Sequence, residues 1–228
     1  MNRLTENRRV PLAVKLAYTA FVAVLVPYYW VTYTPWNFLF FCDVALLMTL
    51  AALWLESPLL ASIPAVGITL PQFLWAFDLL TGGRVVGMAC YMFDPKLPPF
   101  VRGLSSFHGW LPFLLLWLLG RIGYDRRALP AQVALTWVLL LVAYTLAPAP
   151  PAPPENPSAA VNINYVYGLG FDRPQTWVPP AVWVAGLMTL LPLVLYLPTH
   201  LVLRRVFAPR QEPEATPALT TIGEADRG

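Results

Sequence analysis

Charge is scarce in this chain. Asp, Glu, Lys and Arg together supply 12% of its 228 residues, while hydrophobic residues supply 57%. A soluble domain of this size needs far more polar surface to stay dissolved, so that class is excluded. Cysteine and histidine are scarce as well, with two of each. Two cysteines build no disulfide framework. Cys42 lies in an apolar run and Cys90 in a connecting loop, so they can pair only if that loop folds down onto the membrane segment. With no HxxxH or CxxC spacing, no metal site is expected, and without a glycine-rich phosphate loop no cofactor is expected. No internal repeat is visible. The net charge of +3 does not point to nucleic acid, because the basic residues sit in short clusters at the ends of apolar runs, where orientation signals belong.

Long apolar runs are what the chain has in quantity. Spanning a hydrocarbon core takes about 20 apolar residues as helix. Six segments reach that length: 11–33, 36–56, 58–80, 102–121, 129–147 and 179–203. The runs are continuous and do not alternate as barrel strands do. The expected fold is all-α, a polytopic membrane helical bundle of about six transmembrane helices. Residues 1–206 form one transmembrane domain in the cell membrane, and 207–228 form a polar tail expected to be disordered. The first segment has a basic head but no Ala-x-Ala cleavage site, and reads as a retained helix.

Basic residues set the expected orientation. Arg3, Arg8, Arg9, Lys15, Arg121, Arg126, Arg127, Arg204, Arg205, Arg210 and Arg227 fall on one side, against Arg84, Lys96, Arg102 and Arg173 on the other. This bias places both termini in the cytoplasm. The aromatic cluster Pro27 to Trp36 then reads as an outer interfacial belt. Pro64 and Pro71 inside the third segment free backbone groups that neighbouring helices must satisfy, which predicts a kinked, buried helix. Two outer loops are long. Residues 81–101 are rich in turn formers, and 148–178 open as a polyproline-like stretch and continue as "NINYVYGLGFDRPQTW", too aromatic for a passive linker.

Converting position into depth, at about 1.5 Å per residue, gathers most of the membrane-embedded polar residues into one layer. Asn37, Cys42, Asp43, Gln72, Asp78, Ser105, Ser106 and His108 all fall in the outer half, and the inner halves of the same helices are almost purely apolar. Ionisable groups are rare within membrane helices, Asp costing about 2.5–3.5 kcal/mol at mid-helix. A shared outward-facing cavity accounts for their gathering. Cys42 is a candidate nucleophile or a small apolar packer. His108 is a candidate general base, or a buried histidine bonded to a carbonyl or to Ser105. Asp43 and Asp78 either orient His108, shuttle protons or brace the bundle. Asn37 and Gln72 are oxyanion donors or interhelical partners. Ser105 and Ser106 line the same site as substrate-binding groups. His200 reads as an interfacial residue at the inner end of the last helix.

The order of features resembles a family. "NFLFFCDVALLMTLAALW", then the Pro-interrupted "LLASIPAVGITLPQFLW", then "LSSFHGWLPFLLLW" is similar to the YwaF-like integral membrane proteins of bacteria. More distantly it resembles the transmembrane acyltransferases and androgen-induced lipid hydrolases of animals. The resemblance covers about residues 36–120. It implies a lipid acyltransferase or lipid-ester hydrolase in which Cys42 is the nucleophile and His108 the base, with membrane lipid as partner and substrate. The chain departs from that pattern in placing Asp43 directly after Cys42. Two other readings stay open: a proton-relay or transport protein using Asp43, His108 and Asp78, and a non-catalytic scaffold that binds a partner through its outer loops.

Overall fold

A computed structural model describes residues 10–207. The tail from residue 208, and the basic residues at both chain ends, lie outside the described residues. Among the described residues every regular element is helical: α1 (Leu12–Tyr33), α2 (Phe41–Leu55), α3 (Pro58–Leu80), α4 (Pro99–Ser105), α5 (Phe107–Ile122), α6 (Ala128–Leu146), α7 (Pro180–Leu190) and α8 (Leu197–Val206). A π-helical turn, Leu191–Tyr196, joins α7 to α8. Five helical stretches are long and apolar enough to cross a membrane: α1, α3, α4 with α5, α6, and α7 through α8. Together they give the chain the build of an integral membrane protein.

α3 is the centre of the bundle. Every residue from Ala61 to Thr69 is buried, so neighbours surround this stretch on all sides. Ser57 caps its start, accepting from the Leu60 N–H at 3.4 Å, and Pro58 takes the first position, where its missing N–H costs nothing. The helix runs unbroken through Pro64 and Pro71. Close packing against α6 depends on Gly67, because a Cβ there would stand 2.6 Å from Nε2 of Gln132.

Hydrogen bonds identify the two ends of the bundle. At one end Lys15 pairs with Glu56 at 2.6 Å, Ser62 Oγ accepts from the Asp125 N–H at 2.9 Å, and Tyr124 bonds His200 at 2.6 Å. This end carries Arg121, Arg126, Arg127, Arg204 and Arg205, and is called the basic end below. At the other, the loop end, the 148–178 segment packs down onto the helices. Ala160 N–H donates to Tyr33 O at 2.8 Å, Tyr167 OH to Tyr144 O at 3.0 Å, and Trp183 Nε1 to Tyr165 O at 2.7 Å. Ile163 and Val166 are fully buried there.

Three expected segments differ from what forms. The second does not begin at 36: Pro35–Leu39 is a 3₁₀ turn, and α2 starts only at Phe41. With 15 residues, α2 falls below the length of the five long helices. The fourth starts earlier, at Pro99, and is divided by Ser106 into α4 and α5. The sixth runs on to Val206 and contains the π turn, where Pro192 has no N–H for the regular ladder.

Candidate functional site: a polar layer at the loop end

The layer is built on a ridge of α3. Thr69, Gln72, Trp75 and Asp78 recur every third residue, the spacing that stacks side chains along one face, and all four are buried. Asp78 is fully spent on the loop that follows. One carboxylate oxygen accepts from the N–H groups of Val85 and Val86 at 3.1 and 2.8 Å, and the other from Ala89 N–H at 2.8 Å. The turn that makes this possible is Thr81–Gly82–Gly83. Both glycines have positive φ, and a Cβ on Gly83 would lie 2.7 Å from Cys90 Cα. Asp78 is therefore the peg of the 81–90 loop, and neither oxygen reaches His108.

α2 starts inside the protein with nothing of its own to cap it. Its N-cap is Phe40, whose side chain offers no acceptor. Asn164, 123 residues away in the long loop, supplies the cap: its Oδ1 accepts from the Phe41 N–H at 2.9 Å, while its Nδ2 donates to Leu39 O at 2.8 Å. Asn164 holds φ at 54°, which Asn tolerates better than most residues. Asp43 then sits in the first turn of α2, where the positive end of the helix dipole favours a carboxylate. It is 3% exposed; Oδ2 accepts from Cys42 Sγ at 3.5 Å, and Oδ1 has no hydrogen-bond partner.

His108 is held by its neighbours on α4 and α3. Nδ1 meets Ser105 O at 2.9 Å, and the ring stacks on Trp75 at 5.2 Å between centroids. Ser105 Oγ lies 3.3 Å from Tyr29 OH of α1, and Asp43 is within electrostatic range of that same hydroxyl. Tyr91 enters from the 81–98 loop above. Burial pushes its phenol up from the ordinary tyrosine value, against the lowering effect of the Ser105 hydroxyl and the Trp75 indole. The indole N–H faces Tyr91 without reaching hydrogen-bond geometry. Burial also raises the Tyr165 phenol, and Cys42 and Cys90 both lie within electrostatic range of it.

The structure thus draws Cys42, Asp43, Ser105 and His108 into one neighbourhood, bridged by Tyr29, Trp75 and Tyr91. No hydrogen bond joins Cys42 to His108; the thiol turns to Asp43 and the imidazole to a backbone carbonyl. Both cysteines are free. Gln72 lies one turn deeper than Trp75, at the level that the α2–α3 hairpin sets opposite Asp43. It is 3% exposed, and neither Oε1 nor Nε2 has a partner. Thr69 Oγ1 and Trp75 Nε1, on the same ridge, are also unpaired. Asn37 is buried within the 3₁₀ turn, where its carbonyl accepts from Phe40 N–H. Ser106 folds back on Gly103 O at 2.7 Å. Among the described residues no three His, Cys, Asp or Glu side chains gather as metal ligands.

Sequence reasoning missed Tyr29, Tyr91 and Asn164. Two asparagines two residues apart in an aromatic loop, Asn162 and Asn164, were the available signal for the last. It also missed a second polar group deeper in the bundle. There Gln132 Nε2 donates to Thr136 Oγ1 at 3.0 Å, and Thr136 Oγ1 donates to Tyr196 OH at 2.9 Å. Gln132 also borders a partly open gap of about 10 Å³ between α2, α3 and α6, room for about one water. Comparison of this chain with protein-family models, with curated proteins and with solved structures finds no match.

Proposed function

We propose that this chain is a six-span protein of the cell membrane whose loop-end polar layer binds the ester-bearing region of a lipid. The observation that carries the reading is the Gln72 carboxamide, buried with both polar atoms unpaired. Leaving such a group unsatisfied costs about 1–3 kcal/mol, and here it has company in Thr69, Trp75 and Asp43. Groups of this kind on successive turns of α3, within a membrane-type bundle, are suited to the carbonyls and hydroxyls of a lipid backbone. The sixth span is α2 together with the 3₁₀ turn before it. Fifteen α-helical residues and five 3₁₀ residues extend about 32 Å, close to a hydrocarbon core of about 30 Å. The concentration of arginines at the basic end favours that end as cytoplasmic.

Within this reading, acyl transfer or ester hydrolysis is the chemistry that the resemblance to lipid-processing membrane families adds. The geometry favours Asp43 over His108 as partner of the Cys42 thiol. The sulfur attacks the ester carbonyl, its proton passes to Asp43 Oδ2, and that proton then leaves with the departing alcohol. His108 acts as a wall of the site, stacked on Trp75.

The test is lipid capture and acyl turnover by the protein reconstituted in vesicles, using a diazirine-bearing phospholipid. Gln72→Leu is expected to lose capture and turnover together. Cys42→Ala is expected to keep capture and lose turnover, and His108→Gln to retain both within a few fold. Capture that is unaffected by Gln72→Leu removes the binding reading. Turnover that survives Cys42→Ala removes the acyl chemistry alone. A proton path is the second reading, favoured by the Gln132–Thr136–Tyr196 chain deeper in the bundle, and proton flux into liposomes measures it.

A further inference from the structure

The basic end carries a feature that the polar layer does not explain. Arg126, in the loop between α5 and α6, and Arg204, on α8, both lie within electrostatic range of His200. Arg204 also reaches Tyr124. His200 is buried and fixed by the 2.6 Å bond from its Nδ1 to Tyr124 OH. Three positively charged or chargeable side chains from a loop and a helix therefore converge. Asp125, the carboxylate beside Tyr124, does not offset them, because it is engaged twice by Arg127, at 2.7 Å to Nη2 and 3.1 Å to Nε. Among the described residues neither Arg126 nor Arg204 forms an ion pair. The N-terminus of α6 lies at the same place and adds its partial positive charge.

An open, shallow apolar hollow of about 370 Å³ on the face of α6 starts within one turn of this cluster. It runs along α6 and is lined by Leu129, Pro130, Val133, Ala134 and Trp137. From Leu129 to Trp137 the helix rises about 12 Å, comparable to the upper part of an acyl chain. Charge at the rim and a hydrocarbon face leading away from it are the two halves of one ligand chemistry.

We propose that the basic end holds one anionic phospholipid, its phosphate between Arg126 and Arg204 and one acyl chain along the Leu129–Trp137 face of α6. A free phosphate has no use for the hollow, and a zwitterionic lipid gains little from two unpaired guanidinium groups. The site is separate from the loop-end layer, and its occupant serves as a fixed structural lipid.

Native mass spectrometry of the purified protein tests this, with phosphatidylglycerol, phosphatidylcholine of matched chains and inorganic phosphate as probes. Phosphatidylglycerol is expected to be retained in preference to phosphatidylcholine. Arg126→Gln with Arg204→Gln is expected to weaken that retention about thirtyfold, about fivefold for each arginine. Ala134→Trp, which fills the hollow without touching a charge, should weaken it as well, and Arg84→Gln at the opposite end should leave it unchanged. Equal retention of the two lipids overturns the proposal. So does an undiminished signal in the double variant or in Ala134→Trp, an equal loss in Arg84→Gln, or displacement of the lipid by inorganic phosphate at matched concentration.

Discussion

The Gln132–Thr136–Tyr196 group and the Thr69–Gln72–Asp43 layer are made of the same materials: an amide, a threonine hydroxyl and an acidic or phenolic partner, all buried between helices. In the first, each member has a partner within 3.0 Å. In the second, Thr69 Oγ1, both polar atoms of Gln72 and Asp43 Oδ1 have none. A bundle that can satisfy polar groups in its deeper half has the means to satisfy them in its loop-end half. The difference therefore separates a network completed within the protein from one left open, as the proposed lipid site requires. Buried polar networks specify packing when complete and are costly when incomplete.

The comparison breaks most readily at Gly67, which gives the complete network its room. Gly67→Val puts a Cβ 2.6 Å from Gln132 Nε2. It should cost about 3 kcal/mol through overpacking, read as a lower unfolding midpoint in detergent. Thr136→Val removes the link between Gln132 and Tyr196 and should cost about 2 kcal/mol. The same change at Thr69 takes away an unpaired hydroxyl and should be neutral or stabilising. A matched pair of midpoints separates the two sites, and an equal loss at both removes the distinction.

The deeper network shows why sequence took the reading only part of the way. The third helix, 58–80, could be read to the residue because its cap, its leading proline and its apolar run are all local. Gln132 and Thr136 stand one turn apart, but their partner Tyr196 lies 60 residues beyond Thr136, in a π turn that no local pattern announces. The second helix was placed five residues too early because its cap is not local either: Asn164 supplies it. Depth followed from counting residues along each span, and the structure links Cys42, Asp43, Ser105 and His108 through Tyr29, Trp75 and Tyr91, with Gln72 one turn deeper on α3. Azimuth did not follow, so the thiol and the imidazole could be set at the same depth without any sign that one turns to Asp43 and the other to the Ser105 carbonyl.

Asn164 ties the long loop to the site and offers the next test. Asn164→Ala should cost about 1 kcal/mol, the usual value of a lost cap. Hydrogen exchange should speed up at the first amides of α2 and leave α6 unchanged; uniform acceleration would instead mean that the loop stabilises the whole bundle. The smallest effect belongs to the Asp125–Arg127 pair. The Arg127 guanidinium lowers the Asp125 pKa, with burial opposing. A depressed carboxylate pKa stabilises the fold above its unfolded value, near 3.9, and that contribution is lost as the pH falls through the folded value. Arg127 is largely exposed, so acidification from pH 5 to pH 3 should remove only a small part of the stability through this pair. Arg127→Gln should abolish that portion of the acid sensitivity.

The most direct measurement is the stability of Gln72→Leu against the parent protein, first stripped of lipid in detergent and then with phospholipid added back. A ligand-binding layer predicts that the stripped variant is at least as stable as the stripped parent, and that lipid raises the unfolding midpoint of the parent alone. A stripped variant weaker by about 1 kcal/mol or more, the value of a hydrogen bond already made within the protein, with both proteins gaining equally from lipid, would contradict it.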